Sequence, residues 1–144
     1  KLCAYARSFC ISLDNAQGYH PNHGEKYDPQ ERAMLGKGAA IKGHAGGAYT
    51  TDALSSAVAK KIFEKAGASL QVFYNHSDAR SGSTLGAISL GQVCILTVDI
   101  GLPQLAMHSA VETIACDDYR SLKEGLAAFW SSEISVDGTC ITID

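Results

Sequence analysis

The 144 residues contain no CxxC pair, no cluster of basic residues and no long apolar run. Each absence removes a class of protein. The apolar runs fall well short of the roughly 20 residues that a membrane-spanning helix needs. Twelve Lys and Arg stand against fifteen Asp and Glu, for a net charge of −3. With no cationic stripe, nucleic acid is not expected as the main partner. The five cysteines, Cys3, Cys10, Cys94, Cys116 and Cys140, are odd in number and scattered. They predict neither a disulfide framework nor a thiolate zinc site, and they point to a reducing, cytoplasmic setting. Cys10 and Cys94 fall inside apolar runs, where burial as small hydrophobes is expected. The opening residues, KLCAYARSFC, lack the apolar core and small-residue cleavage site of a signal peptide.

Common chemical motifs are missing too. GKGAAIKGHAGG is neither a GxGxxG that opens a helix after a strand nor a GxxxxGK[ST] loop, so it lacks the geometry for a dinucleotide or nucleotide phosphate. GAISLG is not the GxSxG elbow of a serine nucleophile, and no HExxH occurs. SGSTLG could offer amide groups to an anion, but a strand-to-helix turn accounts for it more simply.

What is present is globular: 46% hydrophobic and 19% charged residues, enough for a core. SFCISL (8–13) reads as a buried strand that runs into Asp14, followed by a polar, turn-rich stretch. A loop that long in a compact domain is usually functional. AAIK (39–42) and SLQVFYN (69–75) read as strands, and VCILTVDIG (93–101) as a strand buried on both faces. Between them, TTDALSSAVAKKIFEKAG predicts a helix capped by Thr51 or Asp52, with Leu54, Val58, Ile62 and Ala66 on one face and Gly67 as its left-handed stop. A shorter helix is expected from about Ser83. CDDYRSLKEGLAAFW predicts another, with Tyr119, Leu122, Leu126 and Phe129 inward and Asp117 and Asp118 favourable at its positive end. The tail ISVDGTCITID alternates around Asp-Gly, as an edge strand or hairpin would. Strand and helix alternate, which predicts an α/β fold with helices layered on a mostly parallel sheet. Ligands in such folds bind beyond the carboxyl ends of strands. Asp14 lies at one such end, and His108 follows another. Carboxylate and imidazole donors suit zinc, yet a capping Asp and a satisfied His account for these two positions more readily.

Five ordered segments add information that spacing does not. SFCISLDNAQGYHPNHGEKYD resembles the S-x-D-x-A-H-A-x-H-P-N-x-x-E-K segment of the aspartyl aminopeptidases, a family of zinc exopeptidases. GKGAAIK resembles that family's H-K-G-P-x-I-K, and YTTDA its Y-x-T-[ND]-A. SDARSGSTLGAI is similar to N-D-x-x-x-G-[ST]-T-[IL]-G-P, and VDIGLPQLAMHSAVETIA to D-[IL]-G-x-P-x-L-[AS]-M-H-S-x-R-E. The matches run in family order from about Ser8 to about Trp130.

The resemblance implies a two-zinc aminopeptidase that removes an acidic N-terminal residue, Asp or Glu, from peptides. It implies Asp14 as ligand to one zinc, His108 as ligand to the other, and Lys42, Tyr49, Gln17 and His20 as substrate-facing groups. A cation at Lys42 suits an acidic side chain in a partly desolvated pocket. The resemblance also implies a homo-oligomer. Two departures stand out. Gln17 and Gly18 occupy positions where the family has His and Ala, and Gln cannot carry a proton at neutral pH. The family also draws a His ligand, a bridging Asp and a Glu-Glu pair, which includes the general base, from sequence upstream of this segment. Only thirteen residues precede Asp14, and no Glu-Glu occurs anywhere in the chain. The expectation is therefore one α/β domain over residues 1–144, equivalent to the C-terminal part of a catalytic domain. The upstream half and the lid and oligomerisation domain would lie outside it, and the chain by itself would hold no catalytic base and be inactive. The alternative is a non-catalytic remnant that serves as a binding or assembly module.

Overall fold

A computed structural model describes residues 2–137 and 140–144. A short helix α1 (Leu2–Tyr5) leads into β1 (Phe9–Leu13) and β2 (Ala16–Gln17), then a 3-10 helix (Pro21–Lys26) and β3 (Ala39–Gly43). Helix α2 (Ala53–Lys65), β4 (Leu70–Tyr74), α3 (Leu85–Leu90) and β5 (Leu96–Gly101) follow. The chain closes with β6 (Pro103–Leu105), β7 (Thr113–Ile114), α4 (Cys116–Ser131), β8 (Ile134–Asp137) and β9 (Cys140–Ile143). Among the described residues no helix is long and apolar enough to cross a membrane.

The main sheet has the order β1-β5-β3-β4. β1 and β5 are parallel with Ser12 opposite Asp99, and β3 and β4 are parallel with Lys42 opposite Phe73. The sheet is mostly parallel, as the alternation predicts, with one antiparallel seam where Ile41 meets Ile100. Beyond Asp14 and Leu102 the β1–β5 pair continues as β2 beside β6, with Gln17 opposite Gln104. Amide bonds from Asp14 to Ile100, Ala16 to Leu102 and Gly18 to Gln104 keep that ladder unbroken. β8 and β9 form the antiparallel tail hairpin. The second residue of its Asp-Gly turn signal lies outside the described residues.

Alternation along the strands gives the sheet two unlike faces. Ala39 and Ile41, Val98 and Ile100, with Phe9 and Ile11, pack under α2 and α4 against Ala59, Phe63 and Leu122. The other face carries Ser12, Lys42 and Asp99, all buried, beside a smaller apolar group of Ala16, Tyr27, Ala33, Ala40 and Phe73. The chemistry of the chain sits on this second face.

The two edges of the sheet also differ. At β4 the chain covers itself: the Tyr74 amide donates to the Glu31 carbonyl, Tyr27 bridges to Asn75, and the Gln71 amide group bonds both Met34 N and O. Among the described residues β1 pairs with β5 alone.

α2 begins with a capping box in which Asp52 and Ser55 exchange side-chain and backbone bonds. It ends at Gly67, φ +65, with bonds from Gly67 N to Glu64 O and from Ala68 N to Phe63 O. This is the Schellman closure that the left-handed stop predicts.

Several expectations are corrected. Leu54 is 44% exposed, and the buried stripe of α2 is Ser55, Val58, Ala59, Ile62 and Phe63. The stripe is rotated by one residue because the capping box satisfies Ser55 and lets it go inward. Tyr119 is 57% exposed, and α4 turns Asp118, Leu122 and Gly125 inward instead. Ala115 holds the N-cap position of α4, and Asp117 and Asp118 fall in its first turn as expected. Cys94 is exposed because it precedes β5, which starts at Leu96, and Cys10 within β1 is only half-buried.

Candidate functional site

Lys42 is the centre of the polar face. Its side chain is 3% exposed, and its ammonium donates to the Asp14 carbonyl at 3.2 Å, the Asn15 carbonyl at 3.2 Å and the Asp14 carboxylate (Oδ2) at 3.3 Å. A buried ammonium is tolerated only when its donors are spent in this way. The Asp14 carboxylate is half in solvent, with Oδ2 on Lys42 and Oδ1 unengaged among the described residues. Tyr49 lies across the same ammonium, its ring centroid 4.9 Å from Nζ, a cation–π distance. The imidazole of His44 meets the Tyr49 ring edge-on at 5.8 Å. Burial pushes the Tyr49 phenol above its ordinary value, against hydrogen bonds to Ser81 and Asn75, and the charges of Asp99 and Asp14 push it further up.

Gln17 and His20 belong to a neighbouring hollow of about 190 Å³, lined also by Lys26, Gln104, Ala106 and Met107. His20 caps the 3-10 helix by accepting the Asn22 amide on Nδ1, which leaves Nε2 free. Gln104 is buried, and its carbonyl oxygen accepts from Asn15 at 2.6 Å. Asn15 thus joins the Lys42 cluster to the hollow. Its neighbour Asp14 is clearly signalled in the sequence, but Asn15 and Gln104 carry no such signal, because their bond spans 89 positions.

His108 is exposed and follows the hollow's rim. Its backbone is left-handed, φ 67, as is that of Ala106, φ 55. Each such non-glycine residue costs about 1 kcal/mol or more. The bend is held by the Glu112 carboxylate, which accepts the His108 amide at 2.6 Å.

The structure therefore brings Asp14, Lys42 and Tyr49 together, and Gln17 with His20 beside them. Asp14 and His108 offer an oxygen and a nitrogen donor of the kind zinc takes. Two donors do not close a site, however. Among the described residues no group of three or more His, Cys, Asp or Glu is placed to hold a metal ion. The residues present fit part of a zinc site only.

The family model described as aminopeptidase I zinc metalloprotease (M18) matches residues 1–130. A probable M18 family aminopeptidase 2 of Clostridium novyi (strain NT) is 50% identical over 116 residues, 81% of this chain and 27% of that protein. A probable aspartyl aminopeptidase of Ricinus communis is 36% identical over 141 residues, 98% of this chain and 28% of that protein. In the cryo-EM structure of an Ape4 and Nbr1 complex, the matching chain superimposes with a TM-score of 0.85 at 31% identity, over 88% of this chain and 24% of that one. A dodecameric mApe1 of S. cerevisiae shares the fold, with a TM-score of 0.73 at 24% identity, over 88% of this chain and 27% of that one.

The α/β layering is that of part of an aminopeptidase domain. The chain belongs to the M18 family of zinc aminopeptidases. It spans just over a quarter of the length of the two relatives described above.

Proposed function

We propose that this chain is one part of a zinc aminopeptidase acting on peptides with an acidic N-terminal residue. In this reading Asp14 is a ligand to one of two ions and His108 to the other, while Lys42, Tyr49, Gln17 and His20 face the substrate. One observation carries it: the family match over residues 1–130 coincides with Asp14 fixed at the end of β1 by a buried lysine and still offering a free oxygen. The two left-handed residues around Met107 support it, since strain of this kind gathers at functional sites.

When bound, a zinc pair polarises the scissile carbonyl and lowers the pKa of water. The chain's own contribution is binding and orientation. A substrate carboxylate would compete with the Asp14 and Asn15 oxygens for the Lys42 ammonium, whose three bonds to them run 3.2–3.3 Å. The relative in Ricinus communis, named a probable aspartyl aminopeptidase, supports acidic substrates. At Gln17 the substrate meets a hydrogen-bonding group that cannot shuttle a proton. The remaining ligands and the glutamate base belong to polypeptide outside these residues. Assembly into a homo-oligomer is part of the proposal, supported by the dodecameric fold relative. So is a reducing, cytoplasmic location, supported by the odd, scattered cysteines.

The chain by itself is expected to release no N-terminal Asp or Glu from a peptide in zinc-containing buffer. Zinc calorimetry is expected to show weak binding that His108→Ala or Asp14→Ala reduces. Measurable turnover would overturn the incompleteness of the site, and identical isotherms for wild type and both variants would remove Asp14 and His108 as ligands. A second reading, a non-catalytic assembly module, is favoured by the apolar surface of α3 and β1, where Leu85 is 72%, Ile88 63% and Leu13 50% exposed. The genomic sequence upstream of Lys1 separates the two. An in-frame His-x-Asp and Glu-Glu favours the enzyme, and a stop codon or unrelated sequence favours the module.

A further inference from the structure

We propose that Asp99 is a positioning residue for the substrate side of the site, latching the segment after Tyr49 onto β5 and so keeping the Tyr49 ring over Lys42. This rests on the functional reading above for its consequence, but not for its geometry.

Asp99 is fully buried in the middle of β5. Its Oδ2 accepts two bonds from Thr50, the amide at 2.6 Å and the hydroxyl at 2.7 Å. Its own amide donates to the Thr51 hydroxyl at 3.0 Å. Three bonds thus tie two consecutive residues to a strand nearly fifty positions away. On the far side, Asp52 is fixed by the capping box of α2. On the near side, residues 44–49 have no regular structure and include Gly46 and Gly47. The latch holds the backbone just after Tyr49, beside the contacts of its ring with His44 and of its phenol with Ser81 and Asn75. Through Tyr49 it acts on Lys42, and through Lys42 on Asp14.

The second oxygen of the carboxylate makes the point differently. Asp99 Oδ1 and Ser12 Oγ are both buried without a hydrogen-bond partner among the described residues. They lie against Gly86 of α3, where a Cβ would stand 2.8 Å from Oδ1 and 2.7 Å from the serine oxygen. A buried carboxylate with one oxygen left idle is an inefficient way to stabilise a fold. Two apolar side chains would fill the space better. The two bonds the carboxylate does accept both come from Thr50, the residue that follows Tyr49.

The test uses Thr50→Val, which removes one bond, Thr50→Ser, which keeps it, and Asp99→Asn. In the 144-residue chain, hydrogen exchange of the residue 50 amide is expected to speed up at least about tenfold in Asp99→Asn, a change of the size that a lost charge-assisted bond produces. Amides of α2 such as Ile62 should be unchanged. In the complete zinc-loaded enzyme, Thr50→Val is expected to raise KM for an acidic substrate about tenfold, with kcat, zinc content and melting temperature held and Thr50→Ser at wild type. A merely structural role would lower stability without this split and without rescue by serine. Unchanged exchange at residue 50 in Asp99→Asn overturns the latch, and unchanged KM in Thr50→Val overturns its role at the site. If Asp99→Asn fails to fold, the two Thr50 variants decide. A complete enzyme with no aminopeptidase activity but fast exchange at residue 50 in Asp99→Asn overturns the functional reading and leaves the latch standing.

Discussion

Gly101→Ala is expected to be among the most damaging single methyl additions at the described residues. A Cβ at position 101 would lie 1.8 Å from the Asp14 carbonyl oxygen and 2.8 Å from the carbonyl carbons of Asp14 and Asn15. All three are backbone atoms, so no rotamer change relieves the clash. Gly101 is buried at the end of β5, where it also pairs with Ala40. The strand carrying Asp14 must therefore move away from β5 or the sheet must open. The expected loss is about 4 kcal/mol or more, among the largest single-site effects. For a domain of this size that is a fall of roughly 15 °C in Tm. Gly82→Ala, which meets nothing within 4 Å, is the control and should melt like wild type. Thermal unfolding followed by circular dichroism checks both. A Gly101→Ala protein that melts normally would contradict the close approach of β5 to Asp14.

Asp118→Ala is the second large effect. Asp118 is fully buried and accepts the Gly38 amide at 2.6 Å and the Gly36 amide at 2.8 Å. It ties α4 to the turn that leads into β3, and hence to the strand that carries Lys42. Truncation removes two charge-assisted bonds and leaves the Gly38 amide buried without a partner, at a cost of about 3 kcal/mol. Its neighbour offers an internal comparison. Asp117 is exposed and pairs with Arg120 at 2.7 Å across one helical turn. Asp117→Ala should change stability by less than about 0.5 kcal/mol. Denaturant unfolding of the two variants should separate them clearly, and equal midpoints would count against the buried role of Asp118.

These two aspartates show where the sequence is informative and where it falls silent. Both read as favourable charges at a helix start, and both do sit in the first turn of α4. Nothing local says that one of them turns inward, because its partners lie 80 and 82 positions away. The same holds for Leu54, whose spacing fits an apolar face but whose helix is rotated by the buried Ser55. Strands β1, β3 and β4 and helices α2 and α4 were legible because their periodicity and caps are local properties. The antiparallel seam between β3 and β5 was not, since strand order depends on how the layers close over one another. At the site, Asp14, Lys42, Tyr49, Gln17, His20 and His108 stood out through motif resemblance. Asp99, Asn15 and Gln104 did not, because their importance lies in bonds between distant segments.

The unequal edges of the main sheet have a consequence for how copies of this chain can meet. The β4 edge is already occupied by residues 27–34, whereas β1 has one partner among the described residues. Strand addition is therefore possible from one side only. Within the main sheet, the β1 edge is where a further strand can add, from polypeptide outside these residues or from a second copy about a two-fold axis. Either addition would extend the main sheet at that edge alone. A sheet open on both sides would template an endless ribbon, and this one is terminated by its own loop.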